Sequence, residues 1–240
     1  MPKNIFGQPM WLKKKIYQTI GNVTRSWLLE RNNLTISGSE VLNEIPDKNV
    51  MFVANHQTIF TDVIAMYHTF FATLSGQPNS IKTKNYLKNP KLNIYFVAAR
   101  ETMEKGILPK IFALAGAVSV DRTWRKGEEM VQREVNPDDT KSIGMAIGDG
   151  WVITFPQGTT REGAHVRKGT AHIIKKYKPI VVPVRVDGFR RAFDKTGLKF
   201  KEKNVDLSLK FGSPLTIDYD KDSIDVLVKK VASAIEEPYE

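Results

Sequence analysis

Apolar side chains recur along this chain in two rhythms, and the alternation between them predicts its elements. Over residues 9–30, Leu12, Ile16, Ile20, Val23 and Trp27 repeat at helical spacing, with Lys13, Lys14, Gln18, Asn22 and Arg25 on the other side. Short apolar runs at 34–37, 50–54, 94–98, 117–120, 151–155 and 180–186 predict strands. A helix is predicted over 62–74, where Val63, Met66, Tyr67, Phe70, Phe71 and Leu74 share a face, and a shorter one ending near Gly116. Asn136-Pro137 is a helix start, a capping side chain followed by proline in the first turn, and that helix runs to about Gly148. Further helices are predicted over 166–177 and after Asp222, taken as a cap, with Ile224, Leu227, Val228, Val231 and Ile235 facing inward. Val205, Leu207, Leu209 and Phe211 alternate and suit a strand at a sheet edge, while the basic, turn-rich span 75–93 reads as a loop.

Strands and helices alternate, which predicts an α/β fold: a single domain with a mostly parallel central sheet flanked by helices, plus an N-terminal amphipathic helical segment. Residues 1–33 form that segment and residues 34–240 the domain. The rings of Trp11, Tyr17 and Trp27 on a basic helix suit contact in the plane of a membrane surface. The alternative is a helix that packs on its own domain; Gly21 in its middle weakens it in either case.

Composition narrows the possibilities. A chain of 240 residues supports one good-sized core. With 26% charged residues and a mean hydropathy of -0.30, it does not suit a bundle of spanning helices. No apolar run reaches the length of a transmembrane helix, the longest being Ile111 to Val120, and Lys13-Lys14-Lys15 interrupts any signal-peptide core. The absence of cysteine excludes disulfides, thiolate nucleophiles and cysteine-held zinc. The four histidines lack metal-ligand spacing, so no protein-held metal is expected. A net charge of +10 points to an anionic partner: nucleic acid, anionic lipid, or a phosphorylated molecule or carrier.

Chemistry concentrates at three strand-to-loop junctions: Asn55-His56, Asp121-Arg122, and the run Pro156-Gln157-Gly158-Thr159-Thr160-Arg161. In an open α/β sheet such junctions gather along one edge. The first offers an imidazole with Asp62 nearby, the second a guanidinium, and the third a glycine loop with two hydroxyls and another guanidinium. A base beside phosphate grips suits a hydroxyl nucleophile on a phosphorylated molecule. Asp62 has a second reading, as the cap of the helix that follows.

Four blocks, in order, resemble those of the lysophosphatidic acid acyltransferases and related glycerolipid acyltransferases. Asn55-His56 to Asp62 is similar to the family's Asn-His-x4-Asp, and Gly116-Ala117-Val118-Ser119-Val120-Asp121-Arg122 to its Asp-Arg block. Phe155-Pro156-Gln157-Gly158-Thr159-Thr160-Arg161 resembles Phe-Pro-Glu-Gly-Thr-Arg, and Ile180-Val181-Val182-Pro183-Val184 its Val-Pro strand. The chain departs from the pattern in three ways: five residues rather than four separate His56 from Asp62, Thr160 is extra, and Gln157 replaces the glutamate.

The resemblance implies that His56 is the general base and that Asp62 orients it through a non-helical turn at Asn55 to Ile59. It implies direct attack of an acceptor hydroxyl on the thioester of acyl-CoA or acyl carrier protein, with no cofactor needed. Backbone N–H groups around Gly158 and Thr159 would steady the oxyanion, Arg122 and Arg161 would grip phosphate, and Asn55, Gln157 and Thr160 would support the site. The implied acceptor is a lysophospholipid, most simply lysophosphatidic acid, at the cytoplasmic face of an anionic membrane, with no nucleic acid partner expected. The alternatives are O-acylation of an amino-acid lipid, and a non-catalytic basic protein that binds a lipid surface or nucleic acid.

Overall fold

The computed structural model describes residues 2–104, 106–121, 125–126, 129–130 and 136–239. The chain begins with helix α1 (Met10–Leu29), then strand β1 (Asn33–Ser37), β2 (Val50–Ala54), α2 (Thr61–Leu74) and β3 (Ile94–Ala99). The short helices α3 (Arg100–Met103) and α4 (Ile107–Leu114) precede β4 (Ala117–Val120), and a two-residue ladder follows, β5 (Arg125–Lys126) with β6 (Glu129–Met130). Then come α5 (Pro137–Asp149), β7 (Trp151–Thr154), α6 (Lys168–Tyr177), β8 (Ile180–Asp187), α7 (Phe189–Ala192), β9 (Asp206–Phe211) and α8 (Ile224–Ile235).

Seven strands form one sheet in the order β1-β9-β8-β2-β7-β3-β4. The five from β8 to β4 are parallel; β9 joins β8 antiparallel and carries β1 parallel to itself. The central strands are apolar throughout because helices cover both faces. Val50, Phe52 and Ala54 of β2 face the side of α1, α2 and α4, whereas Met51 and Val53 face α5, α6 and α8. Because these strands point the same way, the loops after β2, β3, β4, β7 and β8 emerge along one edge.

Three expectations change. β9 lies between β1 and β8, so it is an interior strand and not an edge. Its buried–exposed alternation records one covered face, whereas its neighbours in the sheet are chosen by backbone hydrogen bonds that the side-chain pattern does not encode. The cap of α8 is Ser223, whose hydroxyl accepts the Val226 N–H, while Asp222 accepts from Lys230 and from the Asp218 N–H.

Helix α1 also turns a different side inward. It buries Lys13, Tyr17, Gly21, Thr24 and Leu28, and leaves Trp11 and Val23 exposed. Lys13, read as solvent-facing, is 1% exposed; its Nζ donates to Ile94 O at 2.7 Å and sits over the Tyr95 ring. Burial lowers its pKa to about 7, against a smaller opposing pull from Asp149. Among the described residues, no helix is long and apolar enough to cross a membrane.

Candidate active site

Strand β2 ends at Ala54, and the chain then leaves the sheet in a non-helical turn before α2 begins. Asn55 keeps this turn attached to the sheet. Its side-chain amide donates to Val186 O at 2.9 Å and accepts the Val186 N–H at 2.7 Å, as a backbone peptide in register with β8 would. Gln57 ties the turn to the next loop by accepting the Arg190 N–H at 3.1 Å.

The turn returns His56 to Asp62 in the first turn of α2, with Nδ1 3.0 Å from Oδ2. Asp62 is wholly buried and accepts three further donors: the Gln57 N–H at 2.6 Å, the Thr58 N–H at 3.0 Å, and the Thr58 hydroxyl at 2.6 Å. The residue at the cap position of α2 is Phe60, so Asp62 binds the turn that carries the histidine and does not cap the helix. A carboxylate filled this way offers only acceptor capacity, so His56 Nδ1 carries a proton, and in the neutral ring the lone pair is on Nε2. Phe155 fixes the ring plane by stacking on it, with centroids 3.8 Å apart and planes 17° apart.

Strand β7 delivers the glycine loop beside this imidazole. The Gly158 N–H closes a turn onto Phe155 O at 2.9 Å, and its left-handed φ of +65° then directs the chain onward to Thr159. That N–H is therefore occupied. Among the described residues the N–H groups of Thr159 and Thr160 make no internal hydrogen bond, so the loop keeps amides that can meet an anion. Gln157 stands behind the loop, accepting the His56 N–H at 3.2 Å and donating to Ala164 O at 2.7 Å. The amide serves both partners at once, which a glutamate would not.

His56, Gly158, Thr159 and Thr160 line one cavity of ≈ 420 Å³ at this edge of the sheet. Its lining is apolar at Phe60, Val63, Phe96 and Met103, and polar or charged at Glu101, Thr102, the two threonines of the glycine loop, Lys195 and Thr196. Arg161 is exposed and does not line the cavity. Asp121 pairs with Arg100 at 3.1 Å, and Arg122 lies outside the described residues.

Sequence reasoning missed Phe155 as the stacking partner of the imidazole, and it missed the 193–200 segment. The only local signal for the latter was the turn-forming sequence Asp194-Lys195-Thr196-Gly197, which says nothing of where the turn lands.

The family model described as Acyltransferase matches residues 33–187. A comparison with curated protein sequences returned no match. Among solved structures, the chain is similar to the 1-acyl-sn-glycerophosphate (LPA) acyltransferase, PlsC, from Thermotoga maritima, with a TM-score of 0.60. That alignment has 19% identity and covers 93% of this chain and 76% of the other, and it speaks for the fold.

Proposed function

The chain belongs to the acyltransferase family, and from that premise we propose that it moves a fatty acyl group from an acyl thioester to the hydroxyl of a lysophospholipid. Lysophosphatidic acid giving phosphatidic acid is the simplest case. The observation that carries this reading is a carboxylate-oriented imidazole, His56 with Asp62, on a cavity whose lining is partly apolar and partly polar.

In the proposed reaction, Nε2 of His56 takes the proton of the acceptor hydroxyl as its oxygen attacks the thioester carbonyl. Asp62 holds the tautomer and stabilises the imidazolium that forms. The Thr159 N–H faces the tetrahedral oxyanion. Collapse of the intermediate breaks the carbon–sulfur bond, and the departing thiolate recovers the proton from His56. The acyl chain lies against the apolar wall. Arg122 and Arg161 are assigned by resemblance to the acceptor's phosphate or the donor's; Arg161, outside the cavity, is placed for the donor's. Acyl-CoA or acyl carrier protein is the donor.

The reaction site is proposed to meet its lipid at the cytoplasmic face of an anionic membrane, with the protein peripheral. In support, Trp11 and Val23 on α1 and Ile107 on α4 are exposed, Ile107 at 79%, on a chain of net charge +10.

Thiol release from defined acyl donors, measured over a panel of lyso-lipid acceptors, tests the proposal. Turnover is expected with a phosphorylated lyso-lipid and is expected to be lost in His56→Ala. Undiminished turnover in that variant, or no turnover with any lysophospholipid, rejects it.

A further inference from the structure

We infer that Lys195, on the loop that follows α7, binds the anionic head group of the acceptor at the mouth of the catalytic cavity. The inference rests on the acyltransferase reading above and names where that reading's acceptor is held.

In a lysophosphatidic acid the reacting hydroxyl and the phosphate are separated only by a glycerol backbone. The cation that holds the phosphate must therefore share a cavity with the base. Lys195 does so: it lines the same space as His56, together with Thr159, Thr160 and Thr196. Among the described residues it forms no ion pair. The other cations nearby are differently disposed. Arg190 is turned to Thr160 O at 3.1 Å and to Glu162 at 3.4 Å, and Arg161 stands outside the cavity.

The loop is also built in register with the catalytic turn. The Ile59 N–H donates to Lys195 O at 3.1 Å, the Phe60 N–H to Thr196 O at 3.0 Å, and the Thr61 hydroxyl to Gly197 O. These three donors sit in the stretch between His56 and Asp62 that is one residue longer than the family pattern. The loop is thus docked on the very segment that the extra residue lengthens.

Gly197 makes the close approach possible. Its φ is +81°, and a Cβ there would stand 2.9 Å from the Thr61 N. Asp194 closes the loop from within, accepting from the Thr196 hydroxyl and from the N–H groups of Gly197, Leu198 and Lys199. Partial burial alone would raise this carboxyl, but those hydrogen bonds outweigh it and hold the group below the ordinary carboxylate range. So braced a loop fixes where the Lys195 side chain leaves the backbone relative to the base, and its flexible stem carries the ammonium to the phosphate.

The test measures the full chain with lysophosphatidic acid and with an uncharged monoacylglycerol of the same chain length, varying acceptor and donor separately. Lys195→Ala is expected to raise the KM for the phosphorylated acceptor about tenfold, the scale of one charge-assisted hydrogen bond, with little change in kcat. The KM for the uncharged acceptor and for the donor should not move, and Lys195→Arg should restore most of the affinity. Lys199→Ala, which removes an exposed charge from the same loop without touching the cavity, should match wild type.

An unchanged KM for lysophosphatidic acid in Lys195→Ala overturns the inference. So does an equal rise for the uncharged acceptor or the donor, or an equal effect of Lys199→Ala, which would mark a general surface attraction. Wild-type protein that acylates no lysophospholipid at all signals instead that the parent reading has failed.

Discussion

His56 Nδ1 lies 3.0 Å from Asp62 Oδ2 although five residues, not four, separate the two. The extra residue is taken up where the chain is not helical, and the 193–200 loop accepts the two backbone N–H groups this leaves pointing outward, those of Ile59 and Phe60. Spacing in sequence is therefore not what the chemistry requires. It requires a buried carboxylate at the start of α2 and a turn whose amides all find partners.

Asp62→Asn tests that carboxylate. An amide in its place can donate to Nδ1, which favours the wrong tautomer and leaves Nε2 protonated. We expect kcat to fall by about 10²–10⁴, as tautomer loss does in other carboxylate–imidazole pairs. Circular dichroism should show α2 intact. Activity within twofold of wild type would remove Asp62 from the mechanism.

Gln157→Glu restores the residue that the family pattern prefers, and here it is expected to do harm. The donor to Ala164 O is lost, and a second carboxyl comes near Glu237, whose pKa is already raised by burial despite hydrogen bonds from Asn55 and Gln157. Urea unfolding should show a loss of about 1–3 kcal/mol, the cost of leaving a buried acceptor unpaired. A variant as stable as wild type would show that the loop rearranges freely.

The two sides of α1 should separate stability from membrane binding. Trp11→Ser with Val23→Ser alters only exposed positions, so co-sedimentation with anionic vesicles should fall while the melting temperature holds. Tyr17→Ala removes a buried ring that donates to Ala115 O at 2.7 Å, and should cost about 3–5 kcal/mol. Unchanged vesicle binding in the double variant would return α1 to a purely structural role.

His68 should dominate part of the acid limb of stability. It is buried between Thr24 and Tyr86, 2.9 and 2.8 Å away, and the Thr24 hydroxyl is already spent on Ile20 O. The ring thus donates from Nε2 and accepts at Nδ1, a neutral arrangement. Burial, with a smaller contribution from Arg25, lowers its pKa to about 3. Between that value and 6.5 the unfolded chain binds a proton that the native state refuses. Stability therefore declines as pH falls through this window, by up to about 1.4 kcal/mol per pH unit. His68→Gln should flatten that slope in denaturant unfolding at pH 7.5, 6 and 5; a slope unchanged by the substitution would assign it to other groups.

The sequence by itself determined the longer strands and helices, because each element's period of apolar residues is set by its own geometry; the short α3, α7 and β5–β6 ladder hold too few residues to show a period. It also marked His56, Asp62 and the Gly158 loop, since the chemistry that needs them is carried by residue type in a recognisable order. Tertiary structure decided the rest. The interior place and antiparallel joint of β9 follow from backbone pairing, which is the same for every residue. The inward turn of Lys13 on α1 depends on a carbonyl at Ile94 that no local pattern announces. Lys195 reaches the cavity only because β2 and β8 run parallel and side by side, so that the loops leaving them meet over one edge of the sheet.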